Sequence, residues 1–124
     1  MKVRRAVLGD EHVDAAIAAT DEFTAAFQDF ITRYAWGGVW AREQLDRRSR
    51  SIVTLAVLCA LGREHEIAMH VRAALRNGLE PGEIAEVLLH TAVYAGVPAA
   101  NRAFAIADQA LREAGVIEPP AGEG

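Results

Sequence analysis

The chain has 124 residues, 52% of them hydrophobic but only 6% aromatic, and a formal net charge of −4. That length gives one domain with a real core, and the negative balance argues against a nucleic-acid surface. The single cysteine, Cys59, excludes an intrachain disulfide and a paired-thiol redox centre; set in an apolar run, it reads as a small buried hydrophobe.

Taken in order, residues 3–8 read as a short helix ended by Gly9. Asp10 is then placed to cap a second helix over residues 11–19, with Val13, Ile17 and Ala16 facing inward. Over residues 21–34, Phe23, Phe27, Phe30 and Ile31 recur at spacings of three and four, the pattern of an amphipathic helix. Trp36-Gly37-Gly38-Val39-Trp40 is expected to break it with a turn that presents two large flat side chains.

The central helix is expected over residues 47–61, capped by Asp46 and closed at Gly62. The next, over residues 63–77, stops at Asn77-Gly78, since glycine enters the left-handed conformation that closes a helix. Pro81 suits the first position of a further helix, whose missing amide costs nothing there. Ile84, Val87, Leu88, Thr91 and Ala95 form its inward stripe. Gly96-Val97-Pro98 is a stop and restart, and a last helix over residues 98–114 carries Ala100, Ala103, Phe104, Ala107 and Leu111 on one side. No stretch alternates as a strand does. The expectation is an all-α domain of five to seven helices over residues 1–117, with a frayed tail at 118–124. A chain this short and apolar is expected to bury a face against a second copy of itself. No charged-then-apolar leader opens the sequence, so the chain is read as cytoplasmic.

Chemistry gathers around the two central helices. Glu66 and His70 stand four residues apart and so share a helix face. A carboxylate beside an imidazole holds one tautomer and raises its basicity; the plain alternative is a solvated helix pair. His65, Glu66 and His70 are not a zinc-protease motif, because histidines five apart lie on different faces, and no metal is expected. Arg42, Arg47, Arg48 and Arg50 cluster at the start of the central helix, where positive charge is unfavourable. Arg47 and Arg50 share a face, and a bound anion explains their position; a solvated helix start is the alternative. Trp36 and Trp40 serve either as core or as a pocket wall.

These residues in this order resemble the carboxymuconolactone decarboxylase family. The match runs through Val3-Arg4-Arg5-Ala6-Val7-Leu8-Gly9-Asp10, Phe27-Gln28, Ile31-Thr32-Arg33, Ala35-Trp36-Gly37, Val39-Trp40 and Arg42. It continues through Arg47, Arg50-Ser51, Glu66, His70, Arg72-Ala73-Ala74, Asn77-Gly78, Gly82-Glu83-Ile84, Glu86-Val87, Tyr94, Gly96 and Pro98-Ala99-Ala100-Asn101. Two departures stand out: Glu43-Gln44 where the family commonly has Pro-Gly, and His90 where it commonly has Gln. Both bear on substrate preference and leave Glu66 and His70 intact.

The resemblance implies an alkylhydroperoxidase D-like helical fold assembled as a homo-oligomer, a trimer or hexamer. The peroxidase branch of that superfamily carries Cys-x-x-Cys where this chain has Arg63 and Glu66, so peroxide reduction is not expected. Implied instead is cofactor-free decarboxylation of 4-carboxymuconolactone to the 3-oxoadipate enol-lactone, in the protocatechuate branch of the β-ketoadipate pathway. The substrate would be a small dicarboxylate lactone, with no nucleic acid or membrane involved. On that reading His70 donates a proton to carbon and Glu66 orients it. Arg47 and Arg50 bind carboxylates, and Trp36 and Trp40 wall the pocket. Two alternatives stay open: a related enzyme acting on another small lactone or keto acid, and a helical oligomer without catalysis.

Overall fold

A computed structural model describes residues 1–118. Seven α-helices follow one another: α1 (Lys2–Leu8), α2 (Asp10–Ala18), α3 (Ala25–Ile31), α4 (Arg47–Leu61), α5 (Glu64–Arg76), α6 (Pro81–Ala95) and α7 (Val97–Glu113). A π-helical segment, Thr32–Trp40, continues α3 without interruption. No strand occurs among the described residues, and the part of the expected tail at 119–124 lies outside them. Among the described residues no helix is long and apolar enough to cross a membrane.

The ends of the central helices follow from single residues. Asp46 accepts a hydrogen bond from the Ser49 amide at 2.7 Å, satisfying one of the free donors that open α4. Gly62 closes the helix at φ 69°, ψ 34°, in the left-handed region. Pro81 sits in the first turn of α6, whose start is clasped by the Glu83 carboxylate accepting from the Glu80 amide at 3.0 Å. The cap expected of Asp10 does not form. α2 already begins at that residue, and its carboxylate takes a hydrogen bond from Arg5 instead.

α4, α5, α7 and α6 pack in a closed cycle, each against the next, as a four-helix bundle. Its core holds Leu55 and Cys59 of α4, Ile67, Val71 and Ala74 of α5, Ile84 and Leu88 of α6, and the alanine row Ala103, Ala107 and Ala110 of α7. The small side chains of that row let α7 approach closely. A second, smaller core lies on another face of α5. There Val7 and Leu8 of α1, Val13 of α2 and Trp36 meet Ala73, with Met69 and Trp40 packed alongside. α5 is thus the wall between two cores. On a helical wheel, Glu66, His70 and Asn77 fall between its two apolar faces.

Several expectations change. The Gly37-Gly38 pair does not break the chain into a turn: the helix widens to π geometry and runs through it. With no side chains, the two glycines let the wider turn form without crowding the preceding carbonyls. The stripe of Phe23, Phe27 and Phe30 is not buried; Phe23 is 93% exposed, and Phe30 stacks on Tyr34 at 5.1 Å. Ile17 and Ala95, expected inside, are exposed as well. Outward apolar rows also remain on α4 (Val53, Val57, Leu61) and α6 (Leu89, Val93, Tyr94). Periodicity marked these stripes correctly as apolar, but nothing within one chain covers them.

Leu88 is fully buried whereas Val93, on the same helix, is 75% exposed. Leu88→Ala is therefore expected to cost about 2–5 kcal/mol and Val93→Ala less than about 0.5 kcal/mol in dilute monomer. Urea denaturation of both variants checks the contrast; equal losses would mean that the core lies elsewhere.

Candidate active site

His70 reaches its place because α5 needs both flanking faces for packing. Residues 67, 71 and 74 enter the bundle core, and 69 and 73 enter the smaller one. The imidazole is left in the seam, partly buried, with its Nδ1 enclosed and without a hydrogen-bond partner. Burial pushes its pKa below the ordinary 6.5; Glu66 pulls upward, and His12 of α2 pushes further down. Glu66 therefore acts on His70 through charge, and the hydrogen bond expected to orient the ring is absent from the structure.

At the far end of α5, the Asn77 side-chain amide donates to the buried Ser51 hydroxyl at 2.8 Å, fixing the antiparallel register of α4 and α5. Counting from that pair, Arg47 and His70 lie in opposite directions, four and seven residues away. Their backbones are thus roughly 16 Å apart along the helices. One chain does not press the arginine cluster onto the imidazole.

The cluster itself divides three ways. Arg48 forms an ion pair with Glu83 at the start of α6, so its anion is the protein's own. Arg50 is a clasp: its Nε donates to the Leu45 carbonyl at 3.1 Å and its Nη2 to the Arg42 carbonyl at 3.4 Å, holding the loop that follows the π segment. Arg42 and Arg47 remain, lining a cleft of about 320 Å³ with Trp40, Leu45 and Asp46. Charge placement on α4 pointed to the cluster; it could not distribute the partners, because Glu83 and the two carbonyls come from elsewhere in the chain.

Trp36 and Trp40 lie side by side, ring centroids 5.3 Å apart and tilted by 38°. The π turn brings residues four apart close to one another. Trp36 is buried in the smaller core beside Ala73, with its indole N–H unpartnered, while Trp40 is half-buried and extends to the Arg42–Arg47 cleft. The pair therefore bridges the distance between the arginines and the α5 surface beside His70. Buried polar atoms without partners are uncommon in folded proteins, and two of the four found here belong to His70 and Trp36.

Cys59 is buried, and burial raises its thiol pKa, so it is packing material and not a nucleophile. Among the described residues no group of three or more His, Cys, Asp or Glu is placed to hold a metal ion. Sequence reasoning missed His12, 58 positions from His70 in the chain; no local pattern signals a contact at that separation.

The model of the carboxymuconolactone decarboxylase family matches residues 25–109, which include the π segment, α4, α5 and α6. The chain is similar to a 4-carboxymuconolactone decarboxylase of Acinetobacter baylyi, 46% identical over 116 residues, 94% of this chain and 87% of the relative. It is also similar to a nitrosuccinic acid decarboxylase of Metarhizium robertsii, 39% identical over 113 residues, covering 91% and 79%. A shorter stretch of 37 residues is 54% identical to a 4-carboxymuconolactone decarboxylase of Pseudomonas putida, covering 30% of this chain and 77% of that one.

His70 and His12 both have pKa values held below 6.5, chiefly by burial. The unfolded chain therefore takes up their protons first. Their contribution to stability is complete above 6.5 and is lost as the pH falls toward their folded values. The urea midpoint is expected to drop between pH 7 and about pH 5, and His70→Asn combined with His12→Asn should flatten that slope. An unchanged slope in the double variant would remove both groups from the linkage.

Proposed function

Because the chain belongs to the carboxymuconolactone decarboxylase family, we propose that it decarboxylates 4-carboxymuconolactone to the 3-oxoadipate enol-lactone without a cofactor, as a carboxy-lyase of aromatic catabolism. The observation that carries this reading is the enclosed His70 imidazole with an unpartnered nitrogen, in a chain 46% identical to a relative of that name. On this proposal residues 1–117 form the catalytic domain of a cytoplasmic homo-oligomer, with an alkylhydroperoxidase D-like fold. The uncovered apolar rows of α3, α4 and α6 support assembly, since exposed stripes of that kind mark contact surfaces.

The substrate carries two carboxylates at neutral pH. One bond breaks, between the ring carbon and its carboxylate; carbon dioxide leaves, and the electron pair spreads through the ring double bond onto the lactone carbonyl. The lactone is its own electron sink. What remains for the protein is to hold two anions, steady the developing dienolate oxygen and return one proton to carbon.

In the proposed arrangement Arg47, with Arg42, takes one carboxylate at the cleft mouth, where a guanidinium gives two parallel bonds. The flexible stem of Arg47 supplies reach that the small substrate lacks. Arg50 spends two donors on the loop and keeps Nη1 for the same anion. Trp36 and Trp40 wall the pocket, and the Trp36 N–H, lacking an internal acceptor, is available to the dienolate oxygen. His70 is neutral in the free protein near pH 7. A dianion beside it, together with Glu66, favours the imidazolium, which then protonates carbon and is recharged from solvent. A dry wall also favours loss of a carboxylate as neutral carbon dioxide.

The Metarhizium relative supports a second reading, decarboxylation of another small dicarboxylic acid. Ultraviolet assays of purified protein on the lactone and on nitrosuccinate, with chelator present, separate the two.

His70→Ala is expected to lower turnover by about 10²–10⁴-fold with the helical circular dichroism unchanged; near-normal turnover removes His70 from the mechanism. Because the substrate raises the imidazole pKa, the basic limb of kcat should lie at higher pH than that of kcat/KM. Coincident limbs would sink the proton-donor role. Arg47→Ala should chiefly raise KM, measured in the same assay.

A further inference from the structure

A second basic cleft lies on the other side of α5 from the bundle core, where α2 crosses it. About 410 Å³ in volume, it is lined by His12 of α2, Arg72 and Arg76 of α5, Glu11, and the apolar Leu8 and Met69. It shares no lining residue with the Arg42–Arg47 cleft.

Its charges are poorly matched from within. The acids of α2 that could have served it, Asp10 and Asp14, are both taken by Arg5, at 3.1 and 2.8 Å. Glu11 lines the cleft, yet forms no ion pair with Arg72 or Arg76 among the described residues. Beneath the cleft, Arg4 of α1 is only 6% exposed; its guanidinium is held by neutral acceptors, Thr32 Oγ1 at 3.3 Å and Gln28 Oε1 at 3.2 Å. Burying a guanidinium with no carboxylate is costly. Arg4 and Arg72 both depress the His12 pKa after burial, and His12 in turn depresses that of His70. Arg4, His12, Arg72 and His70 are therefore near enough to repel one another, with Glu66 the acid felt by His70.

The site is also built. The Arg76 guanidinium lies flat against Gly9: a Cβ on that residue would stand 2.6 Å from Arg76 Nη2 and 2.7 Å from Cζ. Gly9 has φ 90°, so the close approach and the backbone conformation both call for glycine. Arg72 and Arg76 are one helical turn apart, and side chains at that spacing start about 5–6 Å from each other. That span suits the two ends of a short diacid, with Leu8 and Met69 beneath its methylenes.

We propose that His12, Arg72 and Arg76 form a second anion site, separate from the Arg42–Arg47 cleft, that binds a short aliphatic dicarboxylate. Through the His12–His70 coupling, occupancy at this site also makes the His70 imidazole easier to protonate. The binding claim stands on this cleft alone and does not rest on the decarboxylase reading.

The test follows His12 and His70 in the full-length protein by imidazole proton resonances, titrated with pH in the presence of succinate or of inorganic phosphate. Succinate is expected to raise the His12 midpoint by about one pH unit and the His70 midpoint by less. Phosphate, a single anionic centre, should do so more weakly. Arg72→Gln and Arg76→Gln each should abolish the His12 response, and Arg72→Gln, exposed and clear of Gly9, guards against a folding artefact. Arg47→Gln should leave the His12 response intact, which separates this site from the proposed substrate cleft. A His12 midpoint indifferent to succinate, a response equal or larger with phosphate, or a response that survives Arg72→Gln would overturn the proposal.

Discussion

Everything in this fold depends on α5 having to satisfy two cores at once. Ile67, Val71 and Ala74 bind it into the four-helix bundle, while Met69 and Ala73 bind it to α1, α2 and the π segment. A helix has a limited circumference, and two apolar faces leave only a narrow strip between them. Glu66, His70 and Asn77 occupy that strip. Asn77 uses it to lock register with Ser51, and His70 is left with a nitrogen that no internal group answers. The reactive character of His70 is thus a product of packing: the same burial that secures the helix removes water from the ring.

Electrostatics follows the same plan. Cations are abundant near α5, and the chain neutralises them selectively. Arg48 is given Glu83, Arg5 is given Asp10 and Asp14, and Arg102 is given Glu64 at 2.8 Å. Arg47, Arg72 and Arg76 have no such partner among the described residues. A chain of net charge −4 therefore offers local positive fields to a small anion.

The caps were legible because each depends on one residue and its immediate neighbours. Asp46, Gly62, Gly78 and Pro81 fix helix ends wherever the rest of the chain goes, and the bundle helices begin and end within about a residue of where these signals put them. Gly37-Gly38 misled for the converse reason. Glycine's low helix propensity is a weak preference, and here Trp36 packed on Ala73 outweighs it. The phenylalanine stripe of α3 was recognisable as a stripe, but periodicity says nothing about what covers it. Glu66 and His70 were legible as neighbours on one face; the company of His12, the burial of Arg4 and the clasp made by Arg50 were not. Each of those arises from segments distant in sequence, and no local spacing encodes them.

The π segment has a consequence for how this family can vary. A π turn accommodates one residue more than an α turn. Losing a single residue between Trp36 and Trp40 would let the backbone relax to ordinary helical winding. Everything beyond the deletion would rotate by roughly 100° relative to what precedes it. Trp40 would leave its stack on Trp36, and the loop held by Arg50 would start from a different direction. Length changes at this one place thus offer evolution a coarse dial for reshaping the mouth of the cleft while the bundle beneath keeps its register.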